Sequence, residues 1–335
     1  MKRVAKVLIA VASATVAFDS RAQTPPQIAD LRRCSLVNGA AIDNCRIAYR
    51  TFGQRDARVS NVILIPTWLG GNSADWPALL GPGRLVDTTR YHVIVVDALG
   101  DGISSSPSTT NGNFPQFTIE DMVETQYRLA KEVLGLKRLR AVLGVSMGAI
   151  QAFAWGAAHS DFVDRFVSIA GSPQVARHDR AGFQTMVRII ESGTIHNVPS
   201  DTTYLMLAGV WLLLNVQDVV NERPAREADS LLTLDAREMS SGSKLGDFAA
   251  QSRAILAYDF ARQAGADSVR AARRLSGRFL VVHSLDDRVV SAAPALAFAR
   301  RFGLDSLTIR SGCGHGAFTC ETRAIGSAIQ TFLAR

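Results

Sequence analysis

The chain has 335 residues, is 47% hydrophobic and 20% charged, carries a formal net charge of +7 and contains four cysteines. That composition fits a globular protein with a large core, in one α/β domain or two smaller ones, and excludes a disordered or low-complexity chain. Nucleic-acid binding would call for a basic stripe or a recognised motif, and neither is visible; the densest basic group, "KRLR" at 137–140, reads as a solvated turn.

Residues 1–22 have the three parts of a secretory signal peptide. Lys2, Arg3 and Lys6 come first, an apolar run from Val7 to Phe18 follows, and Ser20 and Ala22 occupy the small-residue cleavage positions. The run has 12 residues, short of the ~20 that a bilayer-spanning helix needs, so a membrane anchor or buried first helix is the weaker reading. The expectation is a cut after Ala22, a periplasmic or secreted protein, and no membrane span afterwards. Removing 1–22 leaves about +4 of the formal charge. Export also makes Cys34, Cys45, Cys313 and Cys320 candidates for oxidation. Local pairing, Cys34 with Cys45 and Cys313 with Cys320, is favoured. The alternative, a zinc site from Cys313, His315 and Cys320, lacks a fourth ligand and any familiar ligand spacing.

Beyond the signal, compact apolar runs alternate with helical patterns. "NVILIP" (61–66), "YHVIVVD" (91–97), "RAVLG" (140–144), "RFVSIA" (165–170), "RFLVVHS" (278–284) and "SLTIR" (306–310) predict strands covered on both faces. A helix is predicted over 118–135, with Thr118 as N-cap and Asp121 three residues on; others are predicted over 147–159 and 322–335. The alternation predicts a mostly parallel, doubly wound α/β sheet. Residues 172–275 contain helical patterns and no clear strand, so a helical cap over one end of the sheet is expected, within a single domain spanning 23–335. "YLMLAGVWLLLNV" (204–216) is read as packing for that cap, or as an acyl- or ring-binding wall above the site.

Gly144-Val145-Ser146-Met147-Gly148 is a G-x-S-x-G between a predicted strand and a predicted helix. Such a turn strains the serine backbone and exposes its oxygen at the carboxyl edge of the sheet. The hydroxyl needs a base, and the chain order serine, acid, histidine offers Asp286 or Asp287 after one strand and His315 after the next. The residues alone leave the two open; "DRVVS" from Asp287 fits the Asp, one variable residue, then apolar pattern that the resemblance described below implies, with Asp286 then a solvated turn residue. His159 and His283 are read as structural or surface residues. The backbone N–H of Met147 and that of Trp68, in the glycine-rich "PTWLGGN" (66–72), are the candidate oxyanion donors.

"YRTFG" (49–53), "VILIPTWLGG" (62–71), "GPGRLVDTTRYHVIVVDALGDGISSSP" (81–107), "FPQFTIEDMVETQYRLAKEVLG" (114–135), "LGVSMGAIQAFAWG" (143–156) and "GHGAF" (314–318) resemble the α/β hydrolases of the homoserine O-acetyltransferase-like group. The resemblance implies the α/β-hydrolase fold, a Ser146–Asp287–His315 triad, and Trp68 and Met147 as oxyanion donors. It departs at "PTWL", where the acetyltransferases carry a His-Ala-Leu-Thr segment, at Gly316, where they commonly have Asp, and across 172–275. An exported protein would not meet acetyl-CoA. The expected activity is therefore hydrolysis of a carboxylic ester or lactone, with no metal or organic cofactor required. Acyl transfer to a bound alcohol or amine is the alternative, and a non-catalytic binding protein the third reading.

Overall fold

A computed structural model describes residues 25–110, 113–215 and 228–335; the signal-peptide assignment at 1–22 lies outside the described residues. Eight strands form one sheet in the order β1-β4-β6-β5-β7-β8-β9-β10. They are β1 (Gln27–Asp30), β4 (Arg46–Phe52), β5 (Val62–Pro66), β6 (His92–Val96), β7 (Leu139–Val145), β8 (Val163–Ile169), β9 (Phe279–Ser284) and β10 (Asp305–Ile309). From β6 onward all neighbours are parallel; β1 and β4 join antiparallel at one edge. A separate hairpin pairs β2 (Arg33–Ser35) with β3 (Ala41–Asp43). Beside it, Cys34 and Cys45 form a disulfide.

Five of the six apolar runs are strands with both faces covered; the sixth, β10, ends the sheet and has no buried residue, against the expectation of cover on both faces. Along β5 and β6, Leu64, Ile94 and Val96 belong to one buried cluster, and Ile63, Ile65, Val93 and Val95 to another. This is the period-two alternation of a strand with helices on each side. One layer contains α1 (Ile119–Arg128) and α2 (Met147–Ala158). The other contains the C-terminal helix Thr322–Leu333, which buries Ile325, Ile329 and Phe332. Each such fully buried side chain contributes roughly 1.5–3 kcal/mol. Thr118 caps α1 as the sequence predicts: its hydroxyl accepts from the Asp121 N–H, and the Asp121 carboxylate accepts from the Thr118 N–H. The helix ends earlier than predicted, at Arg128, and runs on through one wider turn, Leu129–Val133.

Between β8 and β9 the described chain is helical: α3 (Arg177–Ile195), α4 (Ser200–Asn215), α5 (Ala228–Gly242), α6 (Leu245–Ala257), α7 (Phe260–Ala264) and α8 (Ser268–Arg274). After β9 comes α9 (Ala292–Phe302). No helix of the described residues is long and apolar enough to cross a membrane.

Candidate active site

The turn between β7 and α2 has little freedom. Ser146 has φ 54° and ψ −120°, a positive-φ conformation costly for a residue with a side chain. Its N–H donates to the Ile169 carbonyl at 2.9 Å, and its carbonyl accepts from Ala149 and Ile150 at 2.9 and 3.0 Å. Both motif glycines are sterically required. A Cβ on Gly144 would lie 2.0 Å from the Gly148 carbonyl oxygen, and one on Gly148 would lie 2.3 Å from that of Pro66. The first turn of α2 therefore packs directly on the end of β5, where the "PTWLGGN" loop starts.

Loops after β9 and β10 bring two more side chains to the same edge. His315 Nε2 lies 2.9 Å from Ser146 Oγ, and His315 Nδ1 lies 2.8 Å from Asp287 Oδ2. An ionised carboxylate only accepts, so the ring proton belongs on Nδ1 and Nε2 is left to accept from the serine hydroxyl. Asp287 Oδ1 accepts the N–H groups of Val289 and Val290 at 2.9 and 3.0 Å. Burial alone would raise the Asp287 pKa. The His315 charge and hydrogen bond and the Val290 N–H outweigh it, and the carboxyl lies below its ordinary value. The neighbouring Asp286 faces elsewhere: it accepts from the Ser311 N–H and its side chain is 44% exposed.

His283 is buried, donates through Nε2 to the Gly171 carbonyl at 2.9 Å, and is pushed down in pKa by that burial. His159 stacks on Tyr127 with ring centroids 3.8 Å apart. Neither contacts Ser146 through these interactions. Cys313 and Cys320 are bonded to each other, so neither sulfur is a thiolate available to zinc. Closing this loop across seven residues of separation is expected to stabilise the fold by about 2.5 kcal/mol in the chain-entropy account. Changing both cysteines to serine should therefore lower the melting temperature by several degrees and raise the rate of amide hydrogen exchange in the segment carrying His315. Unchanged melting and exchange would show that the bridge braces nothing.

Met147 is the first residue of α2, so its N–H has no acceptor within the helix. The Trp68 indole lies against Trp76 and Phe318, with centroids 5.2 and 5.9 Å away. Beyond this loop lies a cavity of about 420 Å³ whose wall includes Trp68, Tyr204, Leu207, Trp211 and Phe248. Tyr204, Leu207 and Trp211 recur at helical spacing on α4, and the Trp211 ring is perpendicular to that of His315, centroids 6.4 Å apart. Of the stretch 204–216, described as far as residue 215, Tyr204, Leu207 and Ala208 are buried in the core while Leu205 and Leu213 are exposed. The sequence offered no signal for the cavity's carboxylates, Asp75, Asp235 and Glu238, or for the two buried glutamines nearby, Gln151 and Gln251.

A family profile described as the alpha/beta hydrolase fold matches residues 61–319. The chain belongs to this family. Among curated α/β hydrolase relatives, a probable esterase of Corynebacterium glutamicum is 34% identical over 182 residues, 52% of each chain. An ethyl acetate hydrolase of Pseudomonas veronii is 36% identical over 161 residues, 46% of each chain. A homoserine O-acetyltransferase of Methanohalophilus mahii is 33% identical over 178 residues, 46% of this chain and 37% of that one. The chain thus spans about half the length of the curated relatives it matches. An acetylester hydrolase from Corynebacterium glutamicum superposes with a TM-score of 0.84 at 24% identity, covering 93% of this chain and 96% of that one. At that identity the likeness speaks for the fold.

Proposed function

We propose that the chain is an exported serine hydrolase that cleaves a carboxylic ester through an acyl-enzyme on Ser146. The observation that carries this reading is the hydrogen-bonded series Ser146–His315–Asp287, with links of 2.9 and 2.8 Å, beside an aromatic-walled cavity. His315 Nε2 takes the serine proton as Oγ bonds to the ester carbonyl carbon. The carbonyl oxygen becomes an oxyanion held by the N–H groups of Met147 and Trp68. Collapse expels the alcohol, which receives the proton from His315. Water then repeats the sequence on the acyl-enzyme, releasing the acid and restoring the serine. Asp287 orients the imidazole and stabilises its charged form. The chemistry uses no metal or organic cofactor, and the helical segment 172–275 acts as a cap within one domain spanning 23–335. Two disulfides, fitting an oxidising compartment, support export by the signal at 1–22 with cleavage after Ala22.

The relatives include acyltransferases as well as esterases. The two readings differ in what resolves the acyl-enzyme, water in one and a bound acceptor in the other. The activity is tested by incubating the mature protein with alkyl esters, with and without acetyl-CoA plus homoserine. Ester hydrolysis is expected; faster acetyl transfer to homoserine would establish the transferase reading instead.

A further inference from the structure

We propose that Gln151 and Gln251 are positioning residues that hold the oxyanion loop from opposite ends. This rests on the acyl-enzyme reading above and adds how its oxyanion donors are aimed. Both side chains are fully buried, where an amide must find partners for its donors and its acceptor. Gln151, on α2, donates through Nε2 to the Thr67 carbonyl at 3.2 Å and to the Met147 carbonyl at 3.3 Å. Its own oxygen accepts from Gln126 Nε2, and Gln126 Oε1 accepts from Trp155 Nε1 at 2.8 Å. A series of buried amides thus ends on the Thr67 carbonyl.

That carbonyl and the Trp68 N–H belong to one planar, trans peptide unit, so they point in opposite directions. Fixing the Thr67 oxygen therefore fixes the aim of the Trp68 N–H. The other donor is fixed by the same logic: Met147 N–H shares a peptide with the Ser146 carbonyl, which is held by Ala149 and Ile150. The first donor depends on a side chain, the second on helix backbone alone.

Gln251 secures the loop farther along. Its Oε1 accepts from the Gly70 N–H at 3.2 Å, and its Nε2 donates to the Leu99 carbonyl at 3.4 Å. Between the two glutamines, the Gly71 N–H closes a turn on the Trp68 carbonyl at 3.1 Å. Gln251 lies on α6, which also bears Phe248 of the cavity wall and is tied to the loop after β6 by Asp247, whose Oδ1 accepts the Ser108 N–H at 2.9 Å. The glutamines thus connect the loop to α2 on one side and to the cap on the other.

The test compares wild type with Gln151→Met and Gln251→Met, which keep side-chain length and remove the amide. Rates are normalised by active-site titration, and binding of a trifluoromethyl ketone is measured, since its adduct with Ser146 carries the oxyanion. Misaimed donors should lower kcat by about 10- to 100-fold and leave KM for a simple ester within about threefold. Ketone affinity should fall in step with kcat. A purely structural role would lower the melting temperature and leave kcat per titrated site and ketone affinity unchanged, which overturns the proposal. Gln251→Met removes fewer contacts, so it carries the test if Gln151→Met does not fold. Ser146→Ala separates the two readings: if it stays active, the acyl-enzyme reading falls; if it is dead and both methionine variants match wild type, only the clamp falls.

Discussion

Replacing Ser146 by alanine is expected to lower kcat for an alkyl ester by about 10⁶-fold. The substitution deletes one oxygen, the atom 2.9 Å from His315 Nε2. It leaves the backbone bonds of the turn in place, because these run through the Ser146 N–H and carbonyl. Alanine also keeps a Cβ at φ 54°, so the local strain is neither relieved nor increased. The melting temperature should accordingly stay within two or three degrees, roughly the span of 1 kcal/mol for a chain of this size. The residual rate would come from oxyanion stabilisation and binding alone, roughly 10³–10⁴ over water. Alkyl esters are the substrates of choice, since activated aryl esters also react with any exposed imidazole. A variant retaining more than a hundredth of wild-type kcat would exclude Ser146 as the nucleophile.

The second large effect separates two adjacent aspartates. Asp287→Asn should lower kcat by about 10⁴-fold, because an amide at this position can donate to Nδ1 and force the ring proton onto Nε2, facing the serine. Asp286→Asn should stay within a few-fold of wild type: its exposed side chain serves the Ser311 N–H, and an amide oxygen can still accept there. The reverse ranking would move the acid role to Asp286. Stability should separate the variants too. Asp287 has a depressed pKa, so its contribution to folding is complete above the unfolded value of about 3.9 and is lost as pH falls through the lower folded value. Melting of Asp287→Asn should therefore fall less steeply with acid than that of wild type.

Much of this architecture was legible in the sequence because its signals are local. Strands covered on both faces read as unbroken Val/Ile/Leu runs, and all six predicted runs are strands of the sheet, though β10 lies at its edge and is only partly covered. The Thr118 cap and the glycines around Ser146 answer to backbone geometry within a few residues. The local cysteine pairs are likewise the ones formed. Strands β1 to β4 were not predicted: they are short, half-exposed or at the sheet edge, and Arg46–Phe52 interleaves polar with apolar residues. The meeting of Asp287 and His315 could be inferred from which strand ends they follow. The glutamine contacts could not. Gln251 meets Gly70 across 181 residues of sequence, and Gln151 lies in a helix whose buried character is carried by its apolar neighbours. Such pairings depend on how the helices between β8 and β9 pack against the rest of the chain, which no short-range pattern encodes.

The nucleophile can be identified by trapping a covalent adduct on it. The protein is treated with an arylphosphonate that reacts with activated serine hydroxyls, and the adduct is located by peptide mass spectrometry. Stoichiometric labelling is expected on the peptide containing Ser146, blocked by prior incubation with an ester substrate and absent in Ser146→Ala. An unlabelled wild type, or a label on any other residue that persists in Ser146→Ala, would contradict the assignment of Ser146 as the nucleophile.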